Sequence, residues 1–91
     1  MSIKIKIPEF FQDKTDGRSF IDVTGNTLRE CFAALVHLYP ALQGEIVDGQ
    51  GKLLFKWLIF INGKLASASD ELSTPVTEGD VVLLVPLVAG G

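Results

Sequence analysis

Few residues of this 91-residue chain are of types that carry chemistry by themselves: one cysteine, Cys31, one histidine, His37, and scattered carboxylates. A single cysteine rules out an internal disulfide and a cysteine-based metal cluster. Cys31 falls on the apolar stripe of a helical repeat, where a free cysteine packs as a small hydrophobe. His37 stands off that stripe with no second ligand in evidence, so it reads as a surface residue. Asp70-Glu71 and Glu78-Gly79-Asp80 form an acidic rim that is solvated and could steer a basic partner. No nucleophile–base pair or metal constellation can be placed, and an enzyme acting alone is the least expected outcome. What remains is the terminus. The run Val81-Val82-Leu83-Leu84-Val85-Pro86-Leu87-Val88-Ala89-Gly90-Gly91 has no charged side chain and closes on two bare glycines. Chain ends are usually polar and dispensable. This one stays apolar until every side chain is removed, which points to the Gly91 carboxylate as the functional group.

The elements that must position that group follow from composition and periodicity. Hydrophobic residues are 47% and charged residues 21%, with a net charge of −3. That suits one small globular domain. It disfavours nucleic-acid or anionic-membrane binding, which needs a basic field. No apolar h-region opens the chain, and no run approaches the roughly 18–20 residues of a membrane span. A cytoplasmic protein is expected. Ile3-Lys4-Ile5-Lys6-Ile7 alternates strictly and predicts a half-buried strand ended by Pro8. Residues 9–17 read as a connecting loop with a turn at Asp16-Gly17, one ring of Phe10-Phe11 capping the core. A second strand over 18–23 makes an antiparallel hairpin with the first, Ile21 and Val23 facing inward.

Thr27 with Glu30 fits a capping box, and a helix is expected over 28–39. Leu28, Cys31, Phe32, Leu35, Leu38 and Tyr39 keep the spacing of one buried stripe, and Pro40 stops it. Residues 41–52 form a long connection, with a short helical turn near 42–46. Strand character returns over 53–61. Asn62-Gly63 is a type I′ hairpin signal, leading to a short strand at 64–66. Residues 67–75 are turn-like, and Glu78-Gly79-Asp80 turns into a last strand over 81–85. One helix cannot cover two sheets. The order therefore predicts a four- to five-stranded mixed sheet with the helix on one face, an α+β fold of the β-grasp, ubiquitin-like type. Residues 1–85 are assigned to that domain and 86–91 to a flexible tail.

The segment Pro75-Val76-Thr77-Glu78-Gly79-Asp80, followed by the apolar strand, Pro86 and the terminal Gly-Gly, resembles the C-terminal signature of the ThiS/MoaD family of ubiquitin-like sulfur carriers. Asn62-Gly63 after an apolar strand is similar to that family's central hairpin. Gly51-Lys52-Leu53 ahead of the aromatic-rich strand, with the Val-Ala-Gly-Gly ending, resembles its CysO-type branch. Element order supports the resemblance over nearly the whole chain; the specific motif occupies the last quarter. Leu87 stands where the molybdopterin-synthase type commonly has a second proline, and Val76 where leucine is frequent; both keep the apolar character.

The resemblance implies that an E1-like enzyme adenylates the Gly91 carboxylate with ATP. Sulfide or a persulfide then leaves a thiocarboxylate, which passes sulfur to a biosynthetic enzyme. Cysteine or a related sulfur amino acid is the favoured product, with molybdopterin or thiamine next. No cofactor would be bound, ATP being consumed by the activating enzyme. Gly91 has no Cβ, so a nucleophile meets no side chain, and Gly90 adds backbone freedom. Pro86, Leu87, Val88, Ala89 and Gly90 would thread a channel. Pro86 limits the entropy lost on ordering, and residues 86–91 reach at most roughly 20 Å. Val81, Leu83 and Val85 are expected to face the helix. Leu58, Phe60, Val82 and Leu84 are then left on an open apolar face as the partner-binding set. Two alternatives share the terminus or the face: a ubiquitin-like modifier conjugated through Gly91, and a non-covalent module using the open face alone.

Overall fold

A computed structural model describes residues 2–49, 52–54, 57–66 and 71–86. The described residues form one five-stranded sheet, in the order β2 (Phe20–Val23), β1 (Ile3–Lys6), β5 (Val81–Pro86), β3 (Trp57–Ile61), β4 (Lys64–Leu65), with one α-helix, α1 (Leu28–Leu38), packed on it. This is the expected β-grasp. No helix among them is long and apolar enough to cross a membrane.

Strand β1 (Ile3–Lys6) buries Ile3 and Ile5 and turns both lysines outward. It pairs antiparallel with β2 (Phe20–Val23), Ile5 opposite Ile21 and Ile3 opposite Val23. The connection between them is more ordered than the loop expected from sequence: Glu9–Thr15 is a 3-10 helix. Local turn chemistry and one core contact shape it. Pro8 holds φ at −55°, and its carbonyl accepts from the Phe11 N–H at 2.9 Å. Phe11 is buried, and the turn closes where Asp16 and Gly17 take φ of 57° and 78°. Thr15, the buried polar residue of the segment, donates its hydroxyl to the Arg18 carbonyl at 3.0 Å. So short a segment shows no periodic stripe, so the pattern of apolar residues does not reveal it.

Helix α1 (Leu28–Leu38) starts on the expected cap. The Thr27 hydroxyl oxygen accepts from the Glu30 N–H at 3.3 Å, and the Glu30 carboxylate accepts from the Asn26 N–H at 2.8 Å. Leu28, Cys31, Phe32 and Leu35 are buried against the sheet. Leu38, expected on that stripe, is 54% exposed. At 100° per residue it lies about 80° from Leu28, on the stripe's margin and in the last turn. Tyr39 caps the helix, donating its N–H to the Leu35 carbonyl. The helical turn expected at 42–46 forms earlier, as a 3-10 turn at Pro40–Leu42 with proline in its first position, where its missing N–H costs nothing.

Strand β3 (Trp57–Ile61) is shorter than the sequence suggested; Leu53 makes only an isolated bridge to Val47. Asn62 and Gly63, with φ of 52° and 85°, form the expected type I′ turn into β4 (Lys64–Leu65). After a 3-10 turn at Glu71–Ser73, which buries Leu72, strand β5 (Val81–Pro86) runs between β1 and β3. It is parallel to β1 and antiparallel to β3.

Candidate functional site

The residues of the C-terminal signature that the structure describes converge on β5. Its entry is locked by the same residues that make up the Gly-Asp and Asn-Gly motifs. Gly79 takes φ of 89°. The Asp80 carboxylate accepts from the Thr77 N–H at 2.8 Å and from the Asn62 side-chain amide at 2.9 Å. The Asn62 side-chain oxygen in turn accepts from the Val81 N–H at 2.9 Å. The Thr77 N–H, then the Asn62 amide, hold the Asp80 carboxyl below the usual carboxylate range. The β3–β4 hairpin and the turn before β5 are thus tied side chain to backbone, which fixes where β5 begins.

The two faces of β5 are the reverse of the sequence-based assignment. Val82 and Leu84, expected on the open face, are 0% and 2% exposed and belong to the core under α1. The residues on the open face are Leu83 and Val85, both half-buried, with Val81 more exposed. Pairing is the reason. Val82 is opposite Ile5 and Ile61, and Leu84 is opposite Ile59. Partners directly opposite share a face, so β5 inherits the parity of buried Ile5 and Ile59.

Leu58 and Phe60 do lie on the open face, as expected, and the register brings them beside the corrected β5 residues. Leu58 is opposite Val85 and Phe60 is opposite Leu83. Phe60 is also opposite Leu65 of β4, an exposed leucine. Leu58, Phe60, Leu65, Leu83 and Val85 therefore form one apolar stripe across three neighbouring strands. Leu65 was not singled out from sequence; strict counting along the Asn-Gly hairpin from Phe60 would have found it. The β1–β2 side of the same face is charged. Lys4 and Asp22 pair at 3.0 Å, which, with the Ser2 hydroxyl, lowers the Asp22 carboxyl. The Lys6 ammonium lies 5.9 Å from the centre of the exposed Phe20 ring.

At the far end of β5, Pro86 is the strand's last residue, opposite Trp57, and is not the first residue of a tail. Proline suits that place because pairing with β1 has already ended at Leu83 and little ladder is left to interrupt. The remaining residues of the expected tail, Leu87, Val88, Ala89, Gly90 and Gly91, lie outside the described residues. Trp57 is buried, and its indole N–H donates to the Glu45 carbonyl at 2.8 Å. Of the Phe10-Phe11 pair, Phe11 caps the core and Phe10 does not.

The side chains that could have suggested other chemistry lie elsewhere. Cys31 is buried on α1, and burial, with the nearby Glu30 charge second, pushes its thiol up, away from the nucleophilic thiolate. His37 is exposed in the last turn of the helix. Among the described residues no three His, Cys, Asp or Glu side chains converge to hold a metal.

Comparison with known proteins agrees with this geometry. The model of the ThiS family matches residues 5–91. A putative sulfur carrier protein of Archaeoglobus fulgidus is 32% identical over 91 residues, spanning all of both chains. The sulfur carrier protein CysO of Mycobacterium tuberculosis is 29% identical over 93 residues, again across both chains. The crystal structure of Mycobacterium tuberculosis CysO superposes with a TM-score of 0.84 at 26% identity, over 94% of this chain and 99% of that one. SAMP1 of Haloferax volcanii superposes with a TM-score of 0.82 at 26% identity, over the whole of both chains.

Proposed function

The chain belongs to the ThiS family, and from that premise we propose that it is a sulfur carrier whose Gly91 carboxylate is the working group. In the first step a carboxylate oxygen attacks the α-phosphorus of ATP on an E1-like activating enzyme, and pyrophosphate leaves. A carboxylate is a poor electrophile; as an acyl-adenylate it has AMP as its leaving group. Sulfide, or the terminal sulfur of a persulfide, then adds to the Gly91 carbonyl carbon and AMP departs. Sulfide leaves a thiocarboxylate directly. A persulfide leaves an acyl disulfide, which a thiol of the enzyme opens to the thiocarboxylate while forming a disulfide with the sulfur donor. A second enzyme takes the sulfur. The acceptor favoured is one making cysteine or a related sulfur amino acid, in line with the likeness to CysO.

The observation that carries this reading is the course of β5. One strand presents Leu83 and Val85 on an open apolar stripe, and in sequence the same strand is followed by the apolar run that closes on Gly-Gly. The carrier then contributes a docking surface and a bare carboxylate, and its partners contribute the catalysis. An exposed contiguous apolar stripe bordered by charge is the pattern of a protein interface. The test is intact-mass analysis after incubation with the activating enzyme, ATP and a sulfur donor. Replacement of one oxygen by sulfur is expected, and an unchanged mass would overturn the assignment.

The likeness to SAMP1, the small archaeal modifier protein 1, favours a second use of the same adenylate: attack by a lysine amine of another protein, with AMP again leaving and an amide formed. Conjugates of higher mass that disappear on deletion of Gly91 would support it. Their absence from extracts in which the carrier is thiocarboxylated would exclude it.

A further inference from the structure

The aromatic cluster at the end of β5 has one member that the core does not account for. Phe10 is 58% exposed, yet its ring is held. It stacks on the Trp57 indole, with 6.2 Å between centroids and 6° between planes. It also lies 4.6 Å from the centroid of buried Phe11, in the same 3-10 segment. Trp57 is itself fixed by its bond to the Glu45 carbonyl. Covering such a ring loses little side-chain entropy, because its position is set before any partner arrives. Rigid aromatic residues of this kind are where interface energy concentrates.

The place of the ring gives it a use. Trp57 is opposite Pro86, and five residues follow Pro86. Five residues span at most roughly 17 Å. A carboxylate on so short an arm reaches a reaction centre inside an enzyme only if the enzyme's surface comes down close to Pro86. Phe10 stacks on the indole of Trp57, the residue directly across the ladder from Pro86. The geometry points to Phe10 as a docking residue, covered by an apolar rim around the channel through which the activating enzyme takes up the tail. This rests on the carrier reading and deepens it, adding a contact at the end of the sheet. That contact is separate from the stripe of Leu58, Phe60, Leu83 and Val85.

The test is ATP–pyrophosphate exchange by the activating enzyme, with the full chain as the varied substrate. Phe10→Ala is expected to raise KM about tenfold, the size of one interface anchor, with kcat changed by less than about twofold. Phe10→Leu, which keeps apolar area, is expected to recover most of the loss. Circular dichroism melts of both variants should stay within a few degrees of the unaltered chain. An unchanged KM for Phe10→Ala overturns the proposal. So does a rise in KM matched by a collapse of the melting temperature that Phe10→Leu repairs to the same degree, since Phe10 would then be a lid on Trp57. If the unaltered chain supports no exchange at all, the carrier reading falls and this inference with it.

Discussion

Alternate residues of β5 are chemically similar and do opposite jobs. Val82 and Leu84 are closed off beneath α1, while Leu83 and Val85 lie on the open stripe with Leu58 and Phe60. All four are aliphatic, so side-chain type does not separate them; only the neighbour across the strand does. The inner pair holds the sheet to the helix. The outer pair leaves apolar area open on the other face, and on the proposed reading that area and the Gly-Gly end that follows β5 in sequence serve a partner. A strand that is apolar on both faces usually means cover on both faces. Here one face has its cover in the same chain, and the other is expected to find it in an enzyme.

The division is most sharply tested at the arm. Deleting Gly91 is expected to abolish adenylation, seen as no ATP–pyrophosphate exchange, and to leave the thermal midpoint where it was. Loss of folding on that deletion would mean that the end of the chain belongs to the body. Next in size is the inner face. Leu84→Ala removes a fully buried side chain and should cost about 2–4 kcal/mol in urea unfolding. An effect below about 1 kcal/mol would show that Leu84 is not the core residue its burial indicates.

The outer face should respond in the opposite way. Leu83→Ser is expected to change stability by less than about 1 kcal/mol while weakening binding to the activating enzyme about tenfold by calorimetry. Equal damage to stability from Leu83→Ser and Leu84→Ala would erase the distinction between the faces. The smallest effect is at the entry to β5. The Asp80 carboxyl is held low by the Thr77 N–H and the Asn62 amide, so its folded pKa lies below the unfolded 3.8. A depressed carboxylate stabilises the fold above the unfolded value, and that contribution fades as pH falls through the folded value. Stability measured in urea at pH 5 and pH 3 should therefore fall less for Asp80→Asn than for the unaltered chain. An identical acid slope would show that the clasp does not depend on that charge.

Legibility differed by element for physical reasons. The capping box at Thr27 and Glu30, the Asn62-Gly63 turn and the alternation of β1 were readable because each is a local matter of hydrogen-bond chemistry, positive φ or charge against apolar. The resemblance carried by the last quarter located the candidate working group, and the structure explains part of that signature, since Gly79, Asp80 and Asn62 together lock the start of β5. The 3-10 helix at Glu9–Thr15 was missed because its reason is the burial of Phe11, a contact with distant residues. The exposed stacking of Phe10 went unseen for the same reason: its partner is 47 positions away in the chain.

What the amino-acid order determined by itself was which segments alternate, where the chain turns, that one helix needs one sheet, and that the last apolar run carries Gly90-Gly91. Which side of β5 looks at the helix was not among these things. In β1 the lysines mark the wet side, so parity can be read directly. In Val81-Val82-Leu83-Leu84-Val85 both parities are aliphatic, and the pattern is the same whichever face is inside. Only pairing decided it: β5 lies between β1 and β3, and the buried Ile5 and Ile59 carry Val82 and Leu84 inward with them. Register is a tertiary property, and it turned a uniformly apolar strand into one with a buried side and an open side.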